Sequence, residues 1–485
     1  MKKLISCLLL LAMLLTAFAA CKKKDTGNTE QPTQTVELDE YGRPKVNNAI
    51  IAEGIRFDDV EIAILYYDEY QIYNPDLVGE MVNDANFSRD MSTENALGVI
   101  LDYQHVEHNS TNEMRAYNDK VIRSISSGDS YNILMTHPYY SSNMAMQGYY
   151  QNVRNLNYID FNQPWWTEKV MEEITVNDVS YFASGDMTTA NCGATTCMFY
   201  NKELYTARYS DNIYEVVNNK DWTIERLSEI VKEVYVNTDG ESGTTQGDFL
   251  GLATAPNSSH ADPFFYGFGV RITRLNADGE LEVALGDEWS INSFAAAYDL
   301  FQNNEGVWHK NVADDYEWVL EKFANSESLF VAGCFGHSTK LTDMSARYGV
   351  LPAPLLNKSQ ASYYSGGVDG LLAVPINAKN LDATAATMDV LNYYGYQFTV
   401  PVYFEKMLKT QYADAPEDSA VYELLHEVKT IDFGAVYSYS MNNPLWTWRK
   451  QLREGSNNIS QHWAENMPLY QSGLQEIMDA FKLLA

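Results

Sequence analysis

Between Val60 and Met135 the chain follows one rhythm: strand, strand, helix, strand. Val60-Glu61-Ile62-Ala63-Ile64-Leu65-Tyr66 is rich in β-branched and aromatic residues, and Val99-Ile100-Leu101-Asp102-Tyr103 is a second such run. Asn112 to Ser127 places Met114, Tyr117, Val121, Ile122 and Ile125 on one helical face, and Gly128-Asp129 ends it. Tyr131-Asn132-Ile133-Leu134-Met135 is the next strand. Short strands joined across a helix pack side by side as a mostly parallel sheet, which restricts the fold to the α/β class. Further strands are expected at 179–183, 196–200, 329–333, 348–354 and 371–375. Further helices are expected at 143–151, 166–174, from Trp222 onward with Thr223 as N-cap, and at 290–302, 316–323, 383–394, 401–410, 419–428, 446–454 and 471–484.

The N-terminus carries a different pattern. Lys2 and Lys3 precede an almost wholly apolar run, Leu4 to Phe18, that is shorter than the roughly 20 residues a spanning helix needs. Phe18-Ala19-Ala20-Cys21 then resembles the cleavage box of bacterial lipoproteins, with Phe18 standing where Leu is commoner. That resemblance implies a signal peptide over 1–20, cleavage before Cys21 and a diacylglycerol thioether on Cys21. Two acyl chains, at about 0.8 kcal/mol per buried CH2, give stable anchoring. The stretch 21–47 opens with Lys22-Lys23-Lys24 and continues polar, with Pro and Gly, as a flexible tether whose lysines favour anionic headgroups. The expected location is therefore the extracytoplasmic face of the cell membrane, held by lipid.

Of the 485 residues, about 440 remain after signal and tether, too many for one core and enough for two lobes. No second stretch of 18 or more apolar residues occurs. The net charge of -31 repels nucleic acid and excludes it as a partner. Thirty-four Tyr and nine Trp supply flat apolar faces with polar edges, on which sugar rings stack. After Cys7 and Cys21 are set aside, Cys192, Cys197 and Cys334 remain, an odd number. Cys192 and Cys197 can pair only if Gly193-Ala194 turns back, since fully extended their Cα atoms lie roughly 16 Å apart against a ~7 Å limit. Asn276-Ala277-Asp278-Gly279-Glu280 reads as a hairpin turn and lacks the remaining ligands of a calcium loop. No metal spacing, GxSxG, Walker A, HExxH or SxxK motif is present, so no cofactor and no enzyme activity are indicated.

Several later segments match a known family in order and spacing. Met198-Phe199-Tyr200-Asn201-Lys202-Glu203-Leu204, Asp221-Trp222-Thr223, Phe323 to Gly333, Tyr348 to Pro352 and Gly366 to Asn380 resemble the extracellular solute-binding proteins of the maltose-binding type. The resemblance covers nearly all of 56–485, and Asp160 to Trp166 is similar to a feature of the larger, carbohydrate-leaning members. It implies a two-lobed periplasmic-binding-protein type II fold with the ligand in the cleft between lobes. Lobe one maps to 45–194 plus 350–402, and lobe two to 195–349 plus 403–485. Crossings are expected near Gly193 to Thr195, Val350 and Val402. The implied function is capture of a sugar or oligosaccharide, as a monomer, for the permease subunits of an ABC importer. A peptide or polyamine ligand, or a surface carbohydrate-active enzyme, are the other readings.

Open α/β sheets bind ligands beyond the carboxyl ends of their strands. That rule selects Tyr67 and Asp68 after the first strand, and Thr136, His137, Tyr139 and Tyr140 after the third. It also selects Phe335 and His337 after the strand at 329–333. The family resemblance adds His260, Asp262, Phe264 and Tyr266 from lobe two, Asp369 near the hinge, and Trp446 or Trp448 as a stacking plate, with Phe335 at another plate position. A sugar asks for this combination: aromatic plates for its ring faces, and Asp or His to exchange hydrogen bonds with its hydroxyls. Trp165 and Trp166 are expected to pack rather than bind.

Overall fold

A computed structural model describes residues 37–39, 43–67, 72–106, 111–309, 317–367, 370–404 and 416–484. Cys21, Asp68 and Asp369 lie outside these residues. At the N-terminal end of the described chain, Leu38 and Pro44 form an isolated antiparallel bridge, and Arg43 pairs with Asp39 at 2.7 Å.

The body, from Asn48 onward, is α/β and contains two main sheets. The first comprises β1 (Glu61–Tyr66), β2 (Ile100–His105), β3 (Ile133–Thr136) and β11 (Leu371–Ala373), in the order β11-β3-β1-β2. Strands β1, β2 and β3 run parallel, as their alternation with helices requires, and β11 returns antiparallel to β3. Strand β3 is buried along its whole length, as suits the interior of a sheet, whereas β2 lies at the edge and is partly exposed.

The second sheet holds β4 (Thr196–Asn201), β5 (Leu250–Ala253), β8 (Val307–Trp308), β9 (Ser328–Cys334) and β10 (Tyr348–Leu351), ordered β10-β4-β9-β5-β8. Strand β4 is antiparallel to both β9 and β10, and β5 is parallel to β9 and β8. A small hairpin, β6 (Thr273–Leu275) with β7 (Leu281–Val283), turns at Asn276-Ala277-Asp278-Gly279 as expected, with Gly279 at φ +79°.

Three chain passages run side by side between the sheets. Thr196 N–H donates to the Gly366 carbonyl at 3.0 Å, and Gly366 N–H to Thr196 Oγ1 at 2.9 Å. Ser365 is bridged in turn to Lys429, through Ser365 N–H to Val428 O at 3.2 Å and Thr430 N–H to Ser365 O at 2.9 Å. Gly367 is required here: its φ is +90°, and a Cβ would lie 2.1 Å from the Ala194 carbonyl oxygen. The second and third passages therefore differ from the expected crossings. Val350 pairs with Phe199 inside the second sheet, and Val402 lies in a helical segment.

The region 403–485 is not confined to one lobe either. The C-terminal helix Ile459–Leu484, about 39 Å long at 1.5 Å per residue, sets Met467 near Gly286 beyond β7. At its other end Phe481 packs edge-on against Tyr181, with ring centroids 4.9 Å apart.

The helix Met81–Leu97 has no apolar stripe, and sequence periodicity gives no sign of it. Its buried face carries Asn83, Asn86, Arg89 and Thr93. The fully buried Arg89 is satisfied by Asp90 at 2.7 Å and by the Met187 carbonyl. Trp165 and Trp166 are buried as expected. Both indole N–H groups donate to Asp389 Oδ1 at 3.0 Å, and Asn48 donates to Oδ2 at 2.7 Å.

Candidate ligand-binding cleft

A cavity of about 680 Å³ opens where three strands of the two sheets reach their carboxyl ends. From β3 the chain enters His137 to Tyr140. Beyond β5 it reaches Ser258, Ser259 and Asp262, and beyond β9 Cys334, Gly336 and His337. The connecting segments Gly193 to Thr196 and Gly367 line the same cavity, and the stretch from Ile431 to Arg449 closes it.

The first wall is aromatic. Pro138 starts the helix Pro138–Met146 at its first position, where its missing N–H costs nothing and its fixed φ suits the turn. This start fixes the next two residues, so that Tyr139 and Tyr140 sit edge to face with centroids 4.7 Å apart. Tyr140 lies 5.2 Å from the His137 ring, and Tyr139 meets Tyr439 at 5.7 Å. Such edge contacts hold rings at defined angles and add about 1 kcal/mol per pair beyond their buried area.

The second wall combines an ion pair and an indole. The helix Ser258–Gly267 carries Asp262, and Pro444–Arg453 carries Trp446 and Arg449 three residues apart, hence on one face. Arg449 donates from Nε to Asp262 Oδ1 at 2.7 Å and from Nη2 to Oδ2 at 2.5 Å. Burial lifts the Asp262 pKa above the usual carboxylate value, although Arg449 pulls it down. Trp446 is 45% exposed, and Arg453 lies over its ring at 4.8 Å from the centroid. The guanidinium orients the indole by a cation–π contact.

His337 lines the cleft and His260 backs it, with ring centroids 5.3 Å apart. Burial pushes the His260 pKa down to about 4 and that of His337 to about 3, the second further disfavoured by the charge of a protonated His260. Both imidazoles are therefore neutral at pH 7. His260 is fixed by a 2.5 Å hydrogen bond between Nδ1 and the Ala332 carbonyl.

Of the residues singled out in the sequence, His137, Tyr139, Tyr140, Asp262, Tyr266, His337 and Trp446 come together at this cavity. Others lie behind it. Trp448 is fully buried, wedged edge-on between Phe265 and Phe294 at 5.2 Å from each, because two residues along a helix turn it away from Trp446. Phe335 packs on Tyr422 at 5.0 Å. Tyr67 packs on Tyr117 at 6.1 Å, and Thr136 bonds the Leu371 carbonyl at 3.1 Å. Arg449, Ser438, Ser258 and Ser259 line the cleft and were not singled out. Arg449 stands on the same helix face as Trp446, and that spacing is the one sequence signal that could have indicated it.

Cys192 and Cys197 form no disulfide. Cys192 belongs to the helical turn Ala190–Gly193 and Cys197 to β4, and burial pushes the Cys192 thiol up to about 12. Among the described residues no cluster of three or more His, Cys, Asp or Glu could hold a metal ion. Nor is any described helix long and apolar enough to cross a membrane.

No protein-family model and no curated protein sequence matches the chain. Solved structures do. The maltose-binding protein MalE of Listeria monocytogenes, solved with maltose, superimposes with a TM-score of 0.58 at 15% identity, over 86% of this chain and 98% of that one. The chain has the two-lobed maltose-binding-type fold. UspC of M. tuberculosis matches with a TM-score of 0.57 at 14% identity, over 85% of this chain and 100% of its own. A cyclo/maltodextrin-binding protein in complex with maltotetraose gives 0.56 at 11%, over 88% and 97%. The maltose-binding-type fold explains why the cavity lies between two sheets joined by several chain passages.

Proposed function

We propose that this protein is a receptor on the extracytoplasmic face of the cell membrane that captures a saccharide and delivers it to the permease of an ABC importer. The observation that carries this reading is the cleft itself. Its volume of about 680 Å³ falls within the range of roughly 300–1,000 Å³ usual for small-molecule sites, and its walls present Tyr139, Tyr140 and Trp446 beside the Asp262–Arg449 pair. Flat apolar faces next to hydrogen-bonding groups suit a sugar ring and its hydroxyls. The two-lobed fold shared with maltose- and maltotetraose-bound proteins supports the same ligand class.

The other readings fit less well. Glycoside hydrolysis needs two working carboxyl groups roughly 5–10 Å apart. Among the described residues lining the cleft Asp262 is the one carboxylate, and Arg449 occupies both its oxygens. A polyamine would need several acidic partners there. Calorimetry with oligosaccharides, peptides and polyamines tests the assignment. Reversible sugar binding near the micromolar range, about -8 kcal/mol, is expected. Tight peptide binding without any sugar response would overturn it.

The anchor rests on Phe18-Ala19-Ala20-Cys21 and the lysine-rich stem after it. Cys21→Ser should abolish labelling by radioactive palmitate and release the body from the membrane. A variant that is processed and still membrane-bound would show that Cys21 is not the anchor.

A further inference from the structure

Three helices begin at the wall of the cleft: Pro138–Met146, Ser258–Gly267 and Pro444–Arg453. Their first-turn residues Tyr139, Ser258, Ser259, Leu445 and Trp446 all line the cavity. The first N–H groups of a helix have no carbonyl partner within it, and the aligned peptide dipoles place about half a positive charge at that end. In the second helix the Asn257 side chain accepts from the N–H of His260 alone, so the N–H groups of Ser258 and Ser259 stay available. In the third, Asn443 is held in the left-handed region and its side chain does not cap the helix.

Two side chains point the same way independently of the helix ends. Tyr266 is 7% exposed and Ser438 4%, both line the cleft, and neither hydroxyl bonds any described residue. The Tyr266 ring is pressed onto the Gly366 backbone, where an added Cβ would come within 2.0 Å of it. Its position is therefore set by the chain passages rather than by a hydrogen bond. Two hydroxyls that bond no described residue and reach one cavity are available to an oxygen of a ligand.

Among the side chains of the described lining, Asn443 Oδ1 is one open acceptor. Each oxygen of Asp262 already receives an N–H from Arg449, and Arg449 keeps further donors, since a guanidinium has five. This donor-rich lining stands out in a chain with 65 Asp and Glu against 34 Lys and Arg. A neutral sugar hydroxyl both donates and accepts, so it would leave part of such a wall unmatched. A group that only accepts matches it.

We propose that the captured saccharide carries an anionic substituent, a carboxylate, sulfate ester or phosphate ester. The anion is received by the helix starts at Ser258 and Pro444 together with the hydroxyls of Tyr266 and Ser438. This inference rests on the saccharide reading above and narrows it.

Calorimetry on the full chain tests it with matched probes: digalacturonate against its neutral methyl ester, and glucose 6-sulfate and glucose 6-phosphate against glucose. At least one acid should bind tenfold or more tightly than its neutral partner, and which one does identifies the anion. Tyr266→Phe and Ser438→Ala should each weaken the acid by about tenfold, the scale of a hydrogen bond to a charged group, and weaken the neutral partner clearly less, so that the preference for the acid falls. Neutral sugars that bind as well as or better than the acids would overturn the inference and leave the saccharide reading standing. So would a panel in which no acidic sugar binds. Binding of a peptide with no response to any saccharide would overturn both.

Discussion

Arg449 grips Asp262 with two parallel hydrogen bonds, Nε to Oδ1 at 2.7 Å and Nη2 to Oδ2 at 2.5 Å, across a separation of 187 residues. The pair joins the helices Ser258–Gly267 and Pro444–Arg453, so it shapes the second wall of the cleft and also holds it together. Removing one partner of a nearly buried pair strands the other charge and costs about 3 kcal/mol. Asp262→Asn and Arg449→Gln should each lower stability by that order in chemical denaturation. The double variant should lose clearly less than the sum of the two. Additive losses would mean the pair is not coupled.

Trp446 and Trp448 make a contrast within one helix. Trp446 is half-exposed at the cleft, so Trp446→Ala should leave the melting point nearly unchanged and weaken saccharide binding by about 2 kcal/mol or more. Small-angle scattering should show the wild type contracting on ligand addition and this variant failing to do so at the same concentration. Trp448→Ala removes a ring wedged between Phe265 and Phe294 and should cost about 3–5 kcal/mol of stability. If Trp446→Ala binds and contracts like the wild type, the second wall does not carry the ligand.

The buried His260 and the cleft-lining His337 predict an acid-sensitive fold. Their folded pKa values, about 4 for His260 and about 3 for His337, lie below the ordinary value near 6.5. Below pH 6.5 the unfolded chain binds more protons than the folded one. Stability is therefore lost as pH falls from 6.5 towards 4. His337→Gln should flatten the fall of melting temperature between pH 6.5 and 4.5. A slope equal to that of the wild type would rule out these imidazoles as its source.

Asp389 acts in the opposite sense over much of the same range. Burial raises its pKa to about 6, although the indoles of Trp165 and Trp166 and the Asn48 amide stabilise the charged form. With a folded value above the ordinary 3.8, the folded state takes up the proton first. This group therefore adds stability as pH falls from about 6 towards 4 and withdraws it as pH rises through about 6. Asp389→Asn should steepen the acid loss in the same melting series, and no change of slope would count against the shift.

The C-terminal helix Ile459–Leu484 ends in an aromatic cluster through Phe481, which meets Tyr181 at 4.9 Å and Phe433 and Tyr437 at 5.6 Å each. Phe481→Ala should cost about 3–4 kcal/mol and speed hydrogen exchange in both Tyr181 and Tyr437 segments. Exchange confined to the last turn of the helix would show that this contact is local.

The sequence alone carries the α/β class, because strand and helix periods are local properties. It located β1, the helix Thr111–Ser127 and β3 to within a few residues. It also determined where to look for a site, since the segments after β3 and β9 are legible once the strands are. The Thr223 N-cap could be read for the same local reason, and its Oγ1 accepts from Arg226 N–H at 3.3 Å.

Features that depend on partners distant along the chain are set by the packed fold. The helix Met81–Leu97 buries Asn83, Asn86 and Arg89, which periodicity reads as surface. Arg89 can be buried because the Met187 carbonyl, 98 residues away, meets its guanidinium. Likewise nothing local distinguishes Trp446 from Trp448, which stand about 200° apart around one helix. Phe265 and Phe294 close over one of them, and the other is left to the cleft.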